Sequence, residues 1–221
     1  MHNLGVLFDA DLSLKTHVNQ LTACCYCCLS HIKSYRRALT RRSAVTVVNS
    51  LIVTRLDYCN NLLAGCNKQL IDKLQRILNC VARAIQRKLL RPCNIAALWP
   101  SPLAANERAV TFKLCLSMYK TMNGHASSYI KELCVPVTTV AMHSALRSAA
   151  RGDLLFPHTR RQLGNRAFSD AGPNAWNSLP LNIRTALTPS TFENLLKTNL
   201  FLLSYNIQYR QLLATHVSLT L

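Results

Sequence analysis

Acidic residues are scarce in this chain. Its 221 residues hold 9 Asp and Glu against 26 Lys and Arg, a formal net charge of +17. Most of the cations cannot find a carboxylate within the chain. Unpaired positive charge at this density points to a polyanionic partner, nucleic acid first and an acidic membrane surface second. The shortage also limits chemistry. No two aspartates are adjacent, and the one close pair of acids, Asp9 and Asp11, lies in a turn-like stretch. An enzyme that works with two metal ions needs carboxylates converging on them. There is no Gly-rich phosphate loop, no G-x-S-x-G elbow and no H-E-x-x-H pair.

Long apolar runs are missing too. The longest candidate, Ala44 to Leu56, is interrupted by Asn49 and Arg55, short of the roughly 18 residues a spanning helix needs. The N-terminus, Met1 to Val6, lacks a basic region followed by an apolar stretch. The expectation is a soluble intracellular protein of nucleus or cytoplasm with no membrane partner. The ten cysteines then read as reduced thiols rather than a disulfide framework. Cys24-Cys25-Tyr26-Cys27-Cys28 contains two C-x-x-C pairs, but both sit within a helical pattern and no second pair answers them. They read as small apolar residues, and no metal site is expected.

What is present is mostly helical periodicity, and the 49% hydrophobic content is enough for a core. The fold class expected is mainly α: a helical bundle with one short N-terminal strand and an irregular Pro/Gly-rich C-terminal segment. Leu4 to Asp9 is the strand, with no partner strand nearby. A long helix follows, Ser13 to Leu39. Its seam of Leu14, Val18, Leu21, Cys25, Cys28, Ile32, Tyr35 and Leu39 has heptad spacing, which suits bundle packing or, alternatively, a partner chain. Ser43 is placed to cap a second helix with a core face of Val45, Val48, Ile52, Leu56, Cys59 and Leu63, closed by Gly65. Asn67 opens a third. A fourth, Leu103 to Met122, packs through Val110, Leu114, Ser117 or Met118, and stops at Asn123-Gly124. Val135 to Arg161 has no period and reads as a flexible basic linker. Ser190-Thr191-Phe192-Glu193 has the form of a capping box, opening a last helix with Phe192, Leu195, Leu196, Leu200 and Leu203 inward. The divisions are 1–12, 13–134, 135–161, 162–205 and a tail, 206–221.

The third helix has two faces. Leu74, Ile77, Leu78, Val81 and Ile85 form an apolar stripe, while Lys73, Arg76, Arg83 and Arg87 form a cationic ridge centred roughly 140° away. A second group of cations, Arg147, Arg151, Arg160 and Arg161 with Arg166 just beyond, faces Asp153 alone. A solvated charged face is the plain reading of any one ridge; the lack of acids favours phosphate contact. The candidate nucleic-acid-binding residues are Lys73, Arg76, Arg83, Arg87, Arg160, Arg161 and Arg166.

Several blocks stand out along the chain: Leu4-Gly5-Val6 with Asp9, Leu12-Ser13 and His17; Arg55-Leu56-Asp57-Tyr58-Cys59-Asn60 with Gly65; and Leu74-Gln75-Arg76, Asn79 and Ala82-Arg83. Further on come Leu98-Trp99, Glu107-Arg108 and Phe112-Lys113, then Arg166, Phe168-Ser169, Ala171, Pro173, Trp176-Asn177 and Leu179-Pro180. Together they resemble the polyproteins of non-LTR (LINE-type, jockey-like) retrotransposons, downstream of the reverse transcriptase palm. Pro100-Ser101-Pro102 departs from the family's Leu-Pro-Val. The resemblance spans about Leu4 to Phe201. It implies that 1–12 is the edge of a palm and 13–134 a thumb-like bundle helping to hold an RNA or DNA template-primer. It implies no catalysis by this chain: the family's metal-binding carboxylates lie on a palm that these residues do not include, and Mg²⁺ belongs to that palm. No cofactor or small-molecule substrate is expected. The competing expectation is a helical protein–protein interaction module that uses the Leu14–Leu39 seam and has no nucleic-acid function.

Overall fold

The computed structural model describes residues 1–86, 106–139, 147–155 and 163–217, with side chains to Leu203 in the last helix. The architecture is mainly α-helical with a two-stranded sheet at the N-terminus. That sheet differs from the expected lone strand. β1 (His2–Asn3) pairs antiparallel with β2 (Val6–Leu7), His2 opposite Leu7 and Asn3 opposite Val6. The turn falls inside the apolar run: Leu4 and Gly5 have φ of 46° and 80°, the sign pattern of a two-residue hairpin loop that follows strand twist. Gly5 permits this; Leu4 does not advertise it.

Helix α1 (Lys15–Tyr35) buries Val18, Cys25, Leu29 and Ile32, with Leu14 buried just before it. Tyr35 is exposed and Arg36 takes the inward place. From Leu14 to Arg36 the inward positions, with the half-buried Leu21 among them, average about 3.7 residues apart, near the 3.6 of a straight helix rather than the heptad's 3.5. This seam packs against α4 (Lys68–Gln86) of the same chain.

Between them, α2 (Arg41–Val48) is capped by Thr40, not Ser43. The Thr40 hydroxyl accepts the Ser43 amide at 3.1 Å. A π-helical turn (Asn49–Val53) joins α2 to α3 (Thr54–Asp57). Ala44, Val48, Ile52 and Leu56 are the buried positions, always four apart. In an α-helix each such step drifts about 40° off the face. The wider π turn cancels part of that drift and keeps the four on one side. Gly65 stops the segment at φ 64°, and Asn67 caps α4 by accepting the Gln69 amide at 2.9 Å, both as the sequence suggests.

Helix α5 (Asn106–Met122) lies between two cores. Val110 and Leu114 join the core of α1 to α4. Phe112, Cys115, Met118 and Tyr119 join a second core with Cys134, Leu154, Trp176, Leu179, Phe192, Leu196 and Leu200. The two arcs are roughly 130° apart on the helix, so α5 buries two separate faces. One stripe was expected. The second core also takes α8 (Phe168–Asn177), which follows the short helices α6 (Ser128–Glu132) and α7 (Arg147–Ala150). It is completed by α9 (Leu181–Arg184) and α10 (Pro189–Val217).

Within the C-terminal segment read as irregular, the residues from Phe168 to Asn177 therefore form a helix, with Pro173 inside it. Gly172 lets α8 close on α5: a Cβ there would meet Met118 Sδ at 2.7 Å. Parts of the stretch read as a flexible linker also pack. Leu154 is buried, bridges to Pro136 and has both backbone groups held by Asn177, at 2.9 and 2.8 Å. The final cap is Thr188, not Ser190. Its hydroxyl accepts the Thr191 amide at 3.2 Å and Pro189 takes the first helical position. Leu195 and Leu203 are more than a third exposed, while Phe192, Leu196 and Leu200 are buried. The helix runs on to Val217, through most of the segment read as a tail.

Candidate nucleic-acid interface

The candidate interface is built on α4 and the flank of α1. Leu74, Ile77, Val81 and Ile85 of α4 are buried. Each buried aliphatic side chain of this kind contributes about 1.5–3 kcal/mol, so the helix is held in a fixed rotation. The opposite side carries the ridge. Arg76 and Arg83 are exposed and Lys73 is half-buried. Arg87, Arg160 and Arg161 lie outside the described residues.

Helices α1 and α4 run side by side in the same direction. Lys73 Nζ donates to Asn19 Oδ1 at 2.8 Å. Seven residues on, the Tyr26 phenol reaches Cys80. At the far end Arg36 donates from Nε to the Ala84 carbonyl at 3.1 Å and from Nη2 to the Ile85 carbonyl at 2.8 Å. Arg36 also donates to the Leu39 carbonyl at 2.8 Å. A buried guanidinium thus closes the C-terminal end of α4, where a positive charge is favourable. The register brings Tyr26 beside Arg76 and Arg83, and Arg83 Nη2 donates to Cys80 Sγ at 3.1 Å. Burial first, then Cys80, pushes the Tyr26 phenol up, with the two arginines pulling the other way. Neither Tyr26 nor Asn19 stood out in the sequence. Their placement depends on a pairing between two helices more than 50 residues apart.

Four of the nine carboxylates are engaged elsewhere, and Asp72, on α4 itself, forms no ion pair among the described residues. Asp57 pairs with Lys113 at 2.8 Å, Asp153 with Arg184 at 2.8 Å and more loosely with Arg151, and Glu193 with Lys197 at 3.7 Å. Asp9 accepts the Ser13 hydroxyl at 2.8 Å and the Thr16 amide at 3.3 Å, and its pKa is lowered first by the Thr16 side chain and then by Ser13. Among the described residues no carboxylate stands within ion-pair distance of Lys73, Arg76 or Arg83.

Arg166 has a different setting. It is half-buried and donates to the carbonyls of Leu12 and Leu62, and its Cγ lies 2.9 Å from where a Gly65 Cβ would be. It ties the start of α1, the end of the α3 segment and the approach to α8.

No protein family, curated protein or solved structure matches this chain.

The residues that carry the sequence resemblance do meet one another. The Tyr58 hydroxyl donates to the Leu4 carbonyl at 2.7 Å, and its ring faces Gly5. Asp57 holds Lys113 of α5 and accepts the Asn60 amide at 3.1 Å. Gly65 makes room for Arg166. Trp176 packs on Phe192 with ring centroids 6.0 Å apart, and Asn177 clamps Leu154. Asp57 and Tyr58 thus act as structural connectors.

Proposed function

We propose that this chain is the thumb-side, post-palm part of a non-LTR retrotransposon reverse transcriptase, without its catalytic palm, and that it grips RNA and DNA through α4. The observation that carries the reading is the ridge of Lys73, Arg76 and Arg83: cations without carboxylate partners on a rigidly packed helix, in a chain of net charge +17. Such a ridge suits a row of phosphates and carries no base information by itself. The motif blocks from Leu4 to Trp176 add the family expectation. The interaction-module reading loses its main support, because the α1 seam is filled by α4 of the same chain.

Binding to phosphates releases counterions, so affinity falls with salt in proportion to the contacts made. The test is binding of the full chain to a labelled RNA–DNA hybrid across a salt series, beside Arg76→Ala/Arg83→Ala. Wild type is expected to bind at low salt, with a log–log slope that drops by about 2 in the double variant. A folded wild-type chain that does not bind the hybrid at low salt, or a variant with an unchanged slope, sinks the grip. Concentration-dependent self-association without binding would favour the interaction module.

A further inference from the structure

Tyr26 is an aromatic side chain 41% exposed on the flank of α1, directly beside the ridge. Exposure alone means little for a tyrosine. Its surroundings are more specific. Cys80 lies between Arg76 and Arg83 in α4, and the register set by the Lys73–Asn19 bond, carried seven residues along both helices, puts Tyr26 opposite Cys80 with the two arginines to either side. Those groups stand seven residues apart on one face, about 10 Å along the axis. Arg83 donates to Cys80 Sγ at 3.1 Å. A tyrosine has only two torsions to fix, so little entropy is lost when something lies against it. Lys33, one heptad on from Tyr26 along α1, is exposed and extends the positive surface.

An aromatic face flanked by cations fits a nucleotide better than it fits a bare polyanion. We propose that Tyr26 is a stacking platform for an unpaired base of a single-stranded nucleic acid, with Arg76 and Arg83 holding the phosphates on either side. This rests on the nucleic-acid grip proposed above and narrows its ligand. In a duplex the faces of all but the terminal bases are covered by their neighbours, so the ring can use only a single strand or an end. Stacking of this kind tolerates any base.

The probe is a single-stranded RNA oligonucleotide carrying the fluorescent adenine analogue 2-aminopurine, with a blunt RNA–DNA hybrid and polyglutamate as comparisons. The proteins are the full chain, Tyr26→Phe, Tyr26→Leu and Arg76→Ala/Arg83→Ala, each checked by circular dichroism. Wild type and Tyr26→Phe are expected to quench the analogue on binding. Tyr26→Leu is expected to lose roughly 5- to 100-fold in single-strand affinity while keeping the wild-type salt slope and hybrid affinity. The arginine variant is expected to lose slope on both nucleic acids. If wild type binds both nucleic acids but Tyr26→Leu matches it on the single strand, the platform is wrong and the grip stands. If polyglutamate displaces the RNA at equal charge, the surface is a plain anion site and the platform is wrong. If wild type binds no nucleic acid at low salt, the grip itself fails.

Discussion

His17 holds the N-terminal hairpin through a nitrogen that must stay unprotonated. The Leu7 amide donates to His17 Nδ1 at 3.4 Å, so the neutral ring carries its proton on Nε2. Burial lowers the His17 pKa from its ordinary 6.5, with the nearby Asp9 carboxylate opposing it weakly. A lowered folded-state pKa for a base means that the unfolded chain takes up the proton first as pH falls. The stability from the neutral ring is then fully present above pH 6.5 and is lost as pH drops through the folded value. The hairpin is therefore expected to loosen below pH 6.5 in wild type. His17→Gln keeps a side-chain acceptor without the titration and is expected to hold it through the same range. Backbone NMR shifts of Val6 and Leu7 between pH 7.5 and 5 read the difference, and parallel titration curves in the two proteins would refute it. Nothing in the residue pattern marks this bond. His17 was legible as part of a motif, but its partner depends on a turn at Leu4-Gly5 that an apolar run conceals.

At the scale of the element, α4 was the most legible part of the chain. Its stripe follows one period, it starts at an Asn and its polar face is uniform, so the rotation and the cap could be read directly. Its neighbour α1 was legible as a helix but not in its seam. A heptad count fits Leu14 to Cys25 and then predicts Tyr35 inward, whereas a straight helix brings in Leu29 and Arg36. The caps failed for a similar reason. Thr40 and Ser43, and again Thr188 and Ser190, each offer two hydroxyls near the helix start, and the structure uses the first of each pair. Arg36 matters most here, because its guanidinium holds the Ala84 and Ile85 carbonyls in the last described turn of α4. Arg36→Met keeps the apolar stem and removes the donors. Hydrogen bonds from a charged group contribute about 1.5–3 kcal/mol each but do not add fully, so a loss of about 2–4 kcal/mol is expected. Urea denaturation measures it. Hydrogen exchange is expected to locate the extra opening in the last turn of α4, next to Arg83. A uniform rise in exchange over the whole chain would contradict a local capping role.

At the scale of the whole molecule, α5 ties the two cores together, and this was the least legible feature. A helix buried on two arcs has no clean stripe, so the sequence shows one face and hides the other. The contact that closes the second core is equally silent, since Gly172 has a purpose only beside Met118. Two cores sharing one helix should unfold together, and the buried thiols allow that to be checked. Cys25 lies in the first core, and burial, with Cys24 and Cys28 beside it, pushes its pKa up to about 11. Cys115 lies in the second, pushed up to about 12 by burial alone. Neither is a thiolate near pH 8, so both should resist alkylation until their core opens. Pulsed alkylation over a urea series, read by mass spectrometry, is expected to give one midpoint for both cysteines. Gly172→Ala forces a methyl against Met118 Sδ, an overpacking that costs about 1–3 kcal/mol. Because α5 belongs to both cores, that variant is expected to lower the midpoint at Cys25 as much as at Cys115, although Cys25 is remote from the substitution. A shift confined to Cys115 would mean that the α1–α4 unit stands on its own. The nucleic-acid grip could then be studied without the C-terminal segment.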